Sequence, residues 1–138
     1  MAILRHLTPA PQNFDVLVVD AFSGDAIPLH LLTVEAIAIY KRHLAPDGIL
    51  AFHVSNQYLN LVPEIAQLGV ATHMPAKLFE VAGDDATGAY RSTWVLLSNS
   101  PVFFNQPEVA AAASEAPTIP HLRAWTDDYS SLLPLVHW

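Results

Sequence analysis

The sequence contains no cysteine, and this absence removes several kinds of chemistry at once. Without thiols, the chain has no disulfide, no thiolate zinc site and no cysteine nucleophile. Positive charge is also scarce, since 6 Lys and Arg accompany 13 Asp and Glu and the formal net charge is -7. This balance disfavours a nucleic-acid-binding protein, because phosphate recognition needs clustered cations, and it suits a cationic ligand such as a polyamine or another amine.

Long apolar runs are missing as well, although 52% of the residues are hydrophobic. Asp, His, Lys or Pro interrupts every run before it reaches the ~20 residues that cross a bilayer. Pro9 and Pro11 interrupt residues 1–13, which indicates a lead-in segment rather than a signal peptide. We therefore expect a soluble, cytoplasmic chain without membrane contact. Its 138 residues suit a single domain, 1–138.

The spacing of histidine, glycine and serine argues against three further kinds of site. The 7 histidines form neither a His-x-His nor a His-Glu-x-x-His pair, so no metal site is predicted. No two of the 5 glycines are separated by a single residue, which excludes a dinucleotide-type phosphate turn. Ser23 and Ser55 lack the Gly-x-Ser-x-Gly elbow, so a serine hydrolase is not favoured, although the fold predicted below brings His53 near Ser55 and Asp20.

The most informative feature that is present is an apolar run ending in acids. Residues 14–20 read Phe-Asp-Val-Leu-Val-Val-Asp and predict a buried parallel strand with Asp20 at its carboxyl tip. Asp25 follows in a loop that Gly24 and Pro28 punctuate. Loop aspartates also stabilise turns and helix ends, and this second interpretation applies to Asp25 more than to Asp20.

The pattern after this loop predicts an α/β fold. Thr33 is a candidate N-cap for a helix from Pro28 or Thr33 to His43, and a strand over 49–54 completes a right-handed βαβ unit. The polar loops after the two strands then share one edge of the sheet. Further on, the sequence predicts a helix over 59–68, an irregular strand over 70–81, a strand over 93–98 antiparallel to it, and a helix over 107–113.

Three motifs in order resemble spermidine synthase-like proteins, the polyamine aminopropyltransferases and their bacterial relatives. They are Phe-Asp-Val-Leu-Val-Val-Asp-Ala-Phe-Ser-Gly-Asp-Ala-Ile-Pro at 14–28, Leu-Ala-Pro-Asp-Gly-Ile-Leu-Ala-Phe-His-Val-Ser-Asn at 44–56, and Trp-Thr-Asp-Asp-Tyr-Ser at 125–130. The resemblance implies a partial Rossmann-like fold of the class I S-adenosylmethionine-dependent methyltransferase type. The sheet is expected to be mostly parallel with an antiparallel last strand pair. It corresponds to the C-terminal half of such a domain, without the N-terminal cofactor-binding half.

The same resemblance implies a site and a reaction. Asp20 matches the catalytic aspartate, which orients a substrate amine and accepts its proton during aminopropyl or methyl transfer. Asp25, Asp128 and Tyr129 match residues that bind the amine. The co-substrate is decarboxylated S-adenosylmethionine or S-adenosylmethionine, and no other cofactor is required. Because the glycine-rich half is missing from the sequence, we expect the domain to be incomplete or inactive alone.

The resemblance also implies a partner. In the family, the strand that matches 14–20 lies beside the first strand of the sheet, so its edge is unpaired here. An unpaired apolar edge favours pairing with another chain, and we expect a homo-oligomer formed through strand 14–20. The alternative function is a non-catalytic, truncated domain that associates with itself or with a partner supplying the missing strands.

Overall fold

The computed structural model describes residues 12–20, 31–54, 60–81, 92–119 and 122–130 of the chain. The helices and strands in these ranges are, in chain order, β1 Phe14–Asp20, α1 Val34–His43, β2 Leu44–His53, α2 Val62–Ala71, β3 Ala76–Val81, β4 Ser92–Ser98, α3 Pro101–Asn105, α4 Pro107–Ala112 and β5 Ser114–Glu115. Within the described ranges, every helix is too short or too polar to cross a membrane.

The strands form a sheet with the order β1-β2-β4-β3-β5. β1 pairs with β2 in parallel, whereas the pairs β2–β4, β4–β3 and β3–β5 are antiparallel. Strands β1, β2 and β3 therefore run in one direction, and β4 lies between two of them in the opposite direction. The α/β class and the antiparallel pairing of β3 with β4 are confirmed.

Helix α1 forms where the sequence predicted it. The hydroxyl of Thr33 accepts a hydrogen bond from the backbone N–H of Ala36 at 3.0 Å, which satisfies one of the free donors of the first turn. Lys41, Arg42 and His43 occupy the last turn, where cations interact favourably with the helix dipole. Because His43 is followed directly by the first residue of β2, α1 runs from the carboxyl edge of the sheet toward its amino edge.

Strand β2 begins at Leu44, whereas the sequence predicted a strand from Ile49. Phe14 lies opposite Leu44 and Val16 lies opposite Ile49, so the parallel register shifts between these two pairs. The residues that shift include Gly48, where an added Cβ would lie 2.8 Å from the carbonyl oxygen of Phe14. The close approach of the two backbones explains why the turn-forming sequence around Gly48 remains within the strand.

The predicted strand over 70–81 is wrong in its first part, because α2 continues to Ala71 and β3 begins only at Ala76. His73 has a φ of 61°, and its left-handed backbone ends the helix. Two hydrogen bonds close this turn, from His73 N to Val70 O at 3.3 Å and from Met74 N to Gly69 O at 2.8 Å. This is the Schellman arrangement, which usually has glycine where His73 stands.

Two short elements near the C-terminal end were not predicted. Ser100 caps α3 by accepting a hydrogen bond from Phe103 N at 3.3 Å. β5 extends the sheet by pairing with β3, and Lys77 forms an ion pair there with Glu115. Both elements are too short to produce a periodic pattern in the sequence.

The hydrophobic core lies between the sheet and the helices α1 and α2. Its largest fully buried apolar side chains are Trp125, Phe52, Leu32, Ile37, Leu50, Leu61, Ile65, Leu68, Leu97 and Val19. Trp125 belongs to the irregular C-terminal segment and not to a helix or strand. The core therefore depends on docking of the segment 122–130 as well as on packing of the helices against the sheet.

Candidate active site

Asp20 and His53 lie side by side at the carboxyl ends of β1 and β2. They are partners in the parallel register, and Asp20 Oδ1 lies 3.5 Å from His53 Nδ1. Both side chains are partly exposed, with 40% of Asp20 and 29% of His53 accessible to solvent. The structure thus places an accessible carboxylate at the strand tip, as the sequence predicted, next to an imidazole.

His53 is held between the carboxylate and an aromatic ring. The imidazole packs against the indole of Trp94 with ring centroids 4.9 Å apart, and the two residues are register partners across β2 and β4. The indole N–H of Trp94 donates to the hydroxyl of Ser92 at 3.2 Å. Asp20, His53 and Trp94 therefore form a row across three neighbouring strands. The sequence placed His53 near Asp20, but it gave no signal for the contact with Trp94.

The predicted amine-binding residue Asp25 lies outside the described residues, as do Ser23 and Ser55. Its role stays a prediction.

Asp128 and Tyr129 lie in a tight turn of the C-terminal segment. Backbone hydrogen bonds in both directions close the turn, from Thr126 N to Tyr129 O at 2.9 Å and from Tyr129 N to Thr126 O at 3.2 Å. Asp128 is exposed, whereas Tyr129 is half-buried. The guanidinium of Arg123 lies 4.0 Å from the centroid of the Tyr129 ring. This cation–π contact orders the ring beside the turn.

The turn is attached to the N-terminus of α1. Thr33 donates from its hydroxyl to Asp127 Oδ1 at 2.9 Å, and Val34 N donates to Trp125 O at 2.8 Å. The backbone N–H of Asp127 donates to Glu35 Oε1 at 3.0 Å. Because α1 begins toward the carboxyl edge of the sheet, the turn lies on the side where β1 and β2 end. The sequence did not reveal this attachment of Asp127, which joins residues far apart in the chain.

Glu64 is a second residue that sequence reasoning missed. It lies in the first turn of α2 with 0% of its surface exposed, and its Oε2 accepts a hydrogen bond from Trp125 N at 2.8 Å. Burial raises the pKa of Glu64 to about 7, although the hydrogen bond from Trp125 opposes this shift. Its other carboxyl oxygen, Oε1, is buried and has no hydrogen-bond partner among the residues that the structure describes.

A groove of about 420 Å³ lies at the other edge of the sheet, where α2 ends and β3 begins. It is lined by Gly69, Val70, His73, Met74, Glu115 and Ala116, among others. Because α2 ends at the edge opposite the tips of β1 and β2, this groove is separate from Asp20.

The described residues do not provide a glycine-lined binding cradle for an S-adenosyl group beside Asp20. At each of the two described glycines, another part of the backbone packs against the Cα. A Cβ added at Gly48 would lie 2.8 Å from Phe14 O, and one added at Gly69 would lie 2.7 Å from Met74 O. Gly48 lies within β2, and Gly69 lies beside the groove at the edge of the sheet opposite Asp20. In the described ranges, no three His, Asp or Glu side chains are grouped so that they hold a metal ion.

Comparison with solved structures finds a similar protein. The chain is similar to a probable spermidine synthase from Corynebacterium glutamicum ATCC 13032, with a TM-score of 0.52 and 22% sequence identity. The match covers 75% of this chain and 38% of that chain. No model of a known protein family matches the sequence, and no curated protein matches it.

The structural likeness extends to the fold and not to the reaction, because the identity is low. Together with the strand order, it supports a spermidine synthase-like fold, a partial Rossmann-like domain of the methyltransferase type. Asp20 and His53 lie at the carboxyl ends of adjacent parallel strands of this sheet, the position where open α/β sheets bind their ligands.

Proposed function

We propose that the chain is a transferase-type domain in which Asp20 acts as the base for transfer of an aminopropyl or methyl group to an amine. The observation that carries this proposal is the position of Asp20, an accessible carboxylate at the tip of β1 beside His53, on a spermidine synthase-like fold. The net charge of -7 is compatible with a cationic amine such as a polyamine.

Asp20 is suited to two tasks in such a reaction. Its carboxylate attracts an ammonium group, and it then accepts a proton so that the amine nitrogen has a free electron pair. His53 approaches Asp20 Oδ1 from one side, which restricts the orientation of the carboxylate. Asp25, Asp128 and Tyr129 are proposed to contact the amine. Asp128 and Tyr129 are carried on the turn at the N-terminus of α1.

The proposed donor is S-adenosylmethionine or its decarboxylated form, which supplies the carbon group that is transferred. Because the described residues provide no glycine-lined cradle for it beside Asp20, we propose that activity requires further strands in addition to those described. Isothermal titration of the chain with S-adenosylmethionine, decarboxylated S-adenosylmethionine and methylthioadenosine tests this point. Measurable heat would show that the chain binds the donor without a completing segment, and the absence of heat at high protein concentration would rule out a self-sufficient enzyme.

The test of the catalytic proposal is Asp20→Asn, which keeps the shape of the side chain and removes its basicity. We expect kcat for transfer to an amine to fall by about 100-fold or more. The matched control is Asp15→Asn, because Asp15 lies on the same strand, is exposed and carries the same charge. Equal activities of the two variants would contradict the role of Asp20.

A second candidate function is a non-catalytic domain that associates with a second copy of itself through β1. β1 lies at the end of the sheet formed by the described strands, and Val16 on it is 54% exposed. Exposed apolar edge strands favour pairing with another chain. We propose a homodimer built in this way, or pairing with a partner chain that supplies strands.

Light scattering coupled to size-exclusion chromatography tests the association. We expect a dimer for the native chain and a monomer for Val16→Lys, since a charge on the edge strand opposes pairing. Val81→Lys is the matched control, because Val81 is a strand residue with a nearly equal exposure of 53%. A native chain that remains monomeric at high concentration would contradict the association.

A further inference from the structure

Glu64 connects the interior of the domain to the segment that carries Asp128 and Tyr129. Its Oε2 receives the backbone N–H of Trp125 at 2.8 Å, inside a region from which solvent is excluded. On its other side, the Trp125 carbonyl accepts a hydrogen bond from Val34 N at 2.8 Å. The backbone of Trp125 is therefore held between the first turns of α2 and α1.

The turn begins at the next residue, Thr126, whose N–H donates to Tyr129 O at 2.9 Å. Asp127 is attached to α1 through Thr33 and Glu35, two contacts at least partly accessible to solvent. The hydrogen bond that Trp125 N donates to Glu64 differs from these, because its acceptor carboxyl group is fully buried. A change in the charge of this carboxyl group thus acts directly on the base of the turn.

We propose that Glu64 is a positioning residue whose protonation state controls how firmly the segment 122–130, and with it the turn of Asp128 and Tyr129, is docked on the domain. The neutral carboxyl group keeps the segment docked, and ionisation favours an open form in which Glu64 reaches water. The relevance of this motion to an amine pocket rests on the proposed function, whereas the motion itself does not.

The surroundings of Glu64 favour its neutral form. Its Oε1 is buried without a hydrogen-bond partner in the described part of the chain, and an uncompensated charge in such a place is unfavourable. The rise of its pKa to about 7 agrees with this, since burial is the main cause. α2 packs against α1, β3 and β4. The ionisable side chains on these elements and on the docked segment are Glu35, Tyr40, Lys41, Arg42, His43, Lys77, Glu80, Arg123, Asp127, Asp128 and Tyr129.

None of these groups forms an ion pair with Glu64 in the ranges that the structure describes. Lys41, Arg42 and His43 lie in the last turn of α1, whereas Glu64 lies in the first turn of α2. Lys41 donates to Thr72 O, beyond the far end of α2 from Glu64. Among the described residues, the charge of Glu64 is therefore not compensated by a neighbouring cation, and its titration acts on the hydrogen bond that Trp125 N donates to it.

Hydrogen exchange measured by mass spectrometry on peptides that cover 122–130 tests the proposal. After correction for the intrinsic base catalysis of exchange, the opening constant of this segment is expected to rise about tenfold per pH unit between about pH 5 and pH 7, and to level off above. In Glu64→Gln the corrected opening constant is expected to stay constant, because the amide does not ionise. Peptides from the buried strand β4 in the same samples report global unfolding, and their opening constants are expected to stay well below that of 122–130 at every pH.

The matched control is Glu35→Gln, since Glu35 is an exposed glutamate that accepts a hydrogen bond from the same segment. This variant is expected to keep the pH step. The proposal is overturned if the native protein shows no step in 122–130, if β4 opens as readily as 122–130, or if Glu64→Gln retains the step. If Glu64→Gln fails to fold, the native protein alone still shows whether the opening constant of 122–130 has the pH step. If the pH step in the opening constant of 122–130 is absent, the proposed role of Asp20 is unaffected, because the kcat of Asp20→Asn tests that role separately.

Discussion

Replacement of Glu64 by glutamine is expected to change how the stability of the domain depends on pH. Glu64 is buried in the folded chain, where its pKa is raised from 4.5 to about 7. In the unfolded chain the same carboxyl group is surrounded by water and titrates at its ordinary value. Below pH 4.5 it is neutral in both states, and it then makes no pH-dependent contribution.

The sign and size of the effect follow from this difference. Between pH 4.5 and about 7 the unfolded chain releases the proton while the folded chain keeps it, so stability falls as pH rises. Above about pH 7 both states are ionised and the loss is complete. Each pKa unit corresponds to about 1.4 kcal/mol, so Glu64 removes about 3 kcal/mol of folding free energy between pH 4.5 and pH 8.

Urea unfolding of the native protein and of Glu64→Gln at pH 4.5 and pH 8 measures this contribution. The stability of the variant relative to the native protein is expected to rise by about 3 kcal/mol between the two pH values. Glu35→Gln removes a charge from an exposed site and is expected to show no comparable change. The reasoning would be refuted if the difference in free energy of unfolding between the native protein and Glu64→Gln were the same at both pH values.

Three further substitutions test the backbone geometry by urea unfolding. His73→Gly is expected to stabilise the fold by about 0.5–1 kcal/mol, because glycine adopts the φ of 61° without strain; an unchanged or lower midpoint would contradict this. Gly69→Ala is expected to destabilise it by about 1–3 kcal/mol, since the new Cβ would lie 2.7 Å from Met74 O, and a gain in stability would show that the backbone yields. Thr33→Ala is expected to lower stability by about 1–2 kcal/mol and to speed exchange over 122–130, through loss of the helix cap and of the bond to Asp127; protection equal to that of the native chain would disprove the attachment.

The part of the fold that the sequence predicted best is the unit β1–α1–β2. The apolar run before Asp20 and the cap at Thr33 are local signals, and local hydrogen bonds and burial determine those elements. The end of α2 was not predictable in this way. Its apolar residues fit a helix and a buried strand equally well, and its turn at His73 has no glycine to indicate it.

For the candidate site, the sequence predicted the position of Asp20 and the nearness of His53, but not their register pairing or the contact with Trp94. The pairing of Asp20 with His53 depends on the register of two strands, which shifts between Phe14 and Val16. The hydrogen bond between Glu64 and Trp125 joins residues that are distant in the chain, and nothing in the local sequence of either residue specifies it. Contacts of this kind result from tertiary packing, so they become visible only in the folded structure.

The late position of Trp125 in the chain has a consequence for how the domain matures. Among the described residues, every other buried apolar side chain lies between Leu17 and Leu97. A growing polypeptide therefore completes its sheet before it has the indole that fills the space between sheet and helices. During synthesis, the nascent domain would expose that space until residue 125 leaves the ribosome, and chaperones that bind apolar surface would have a defined interval in which to act.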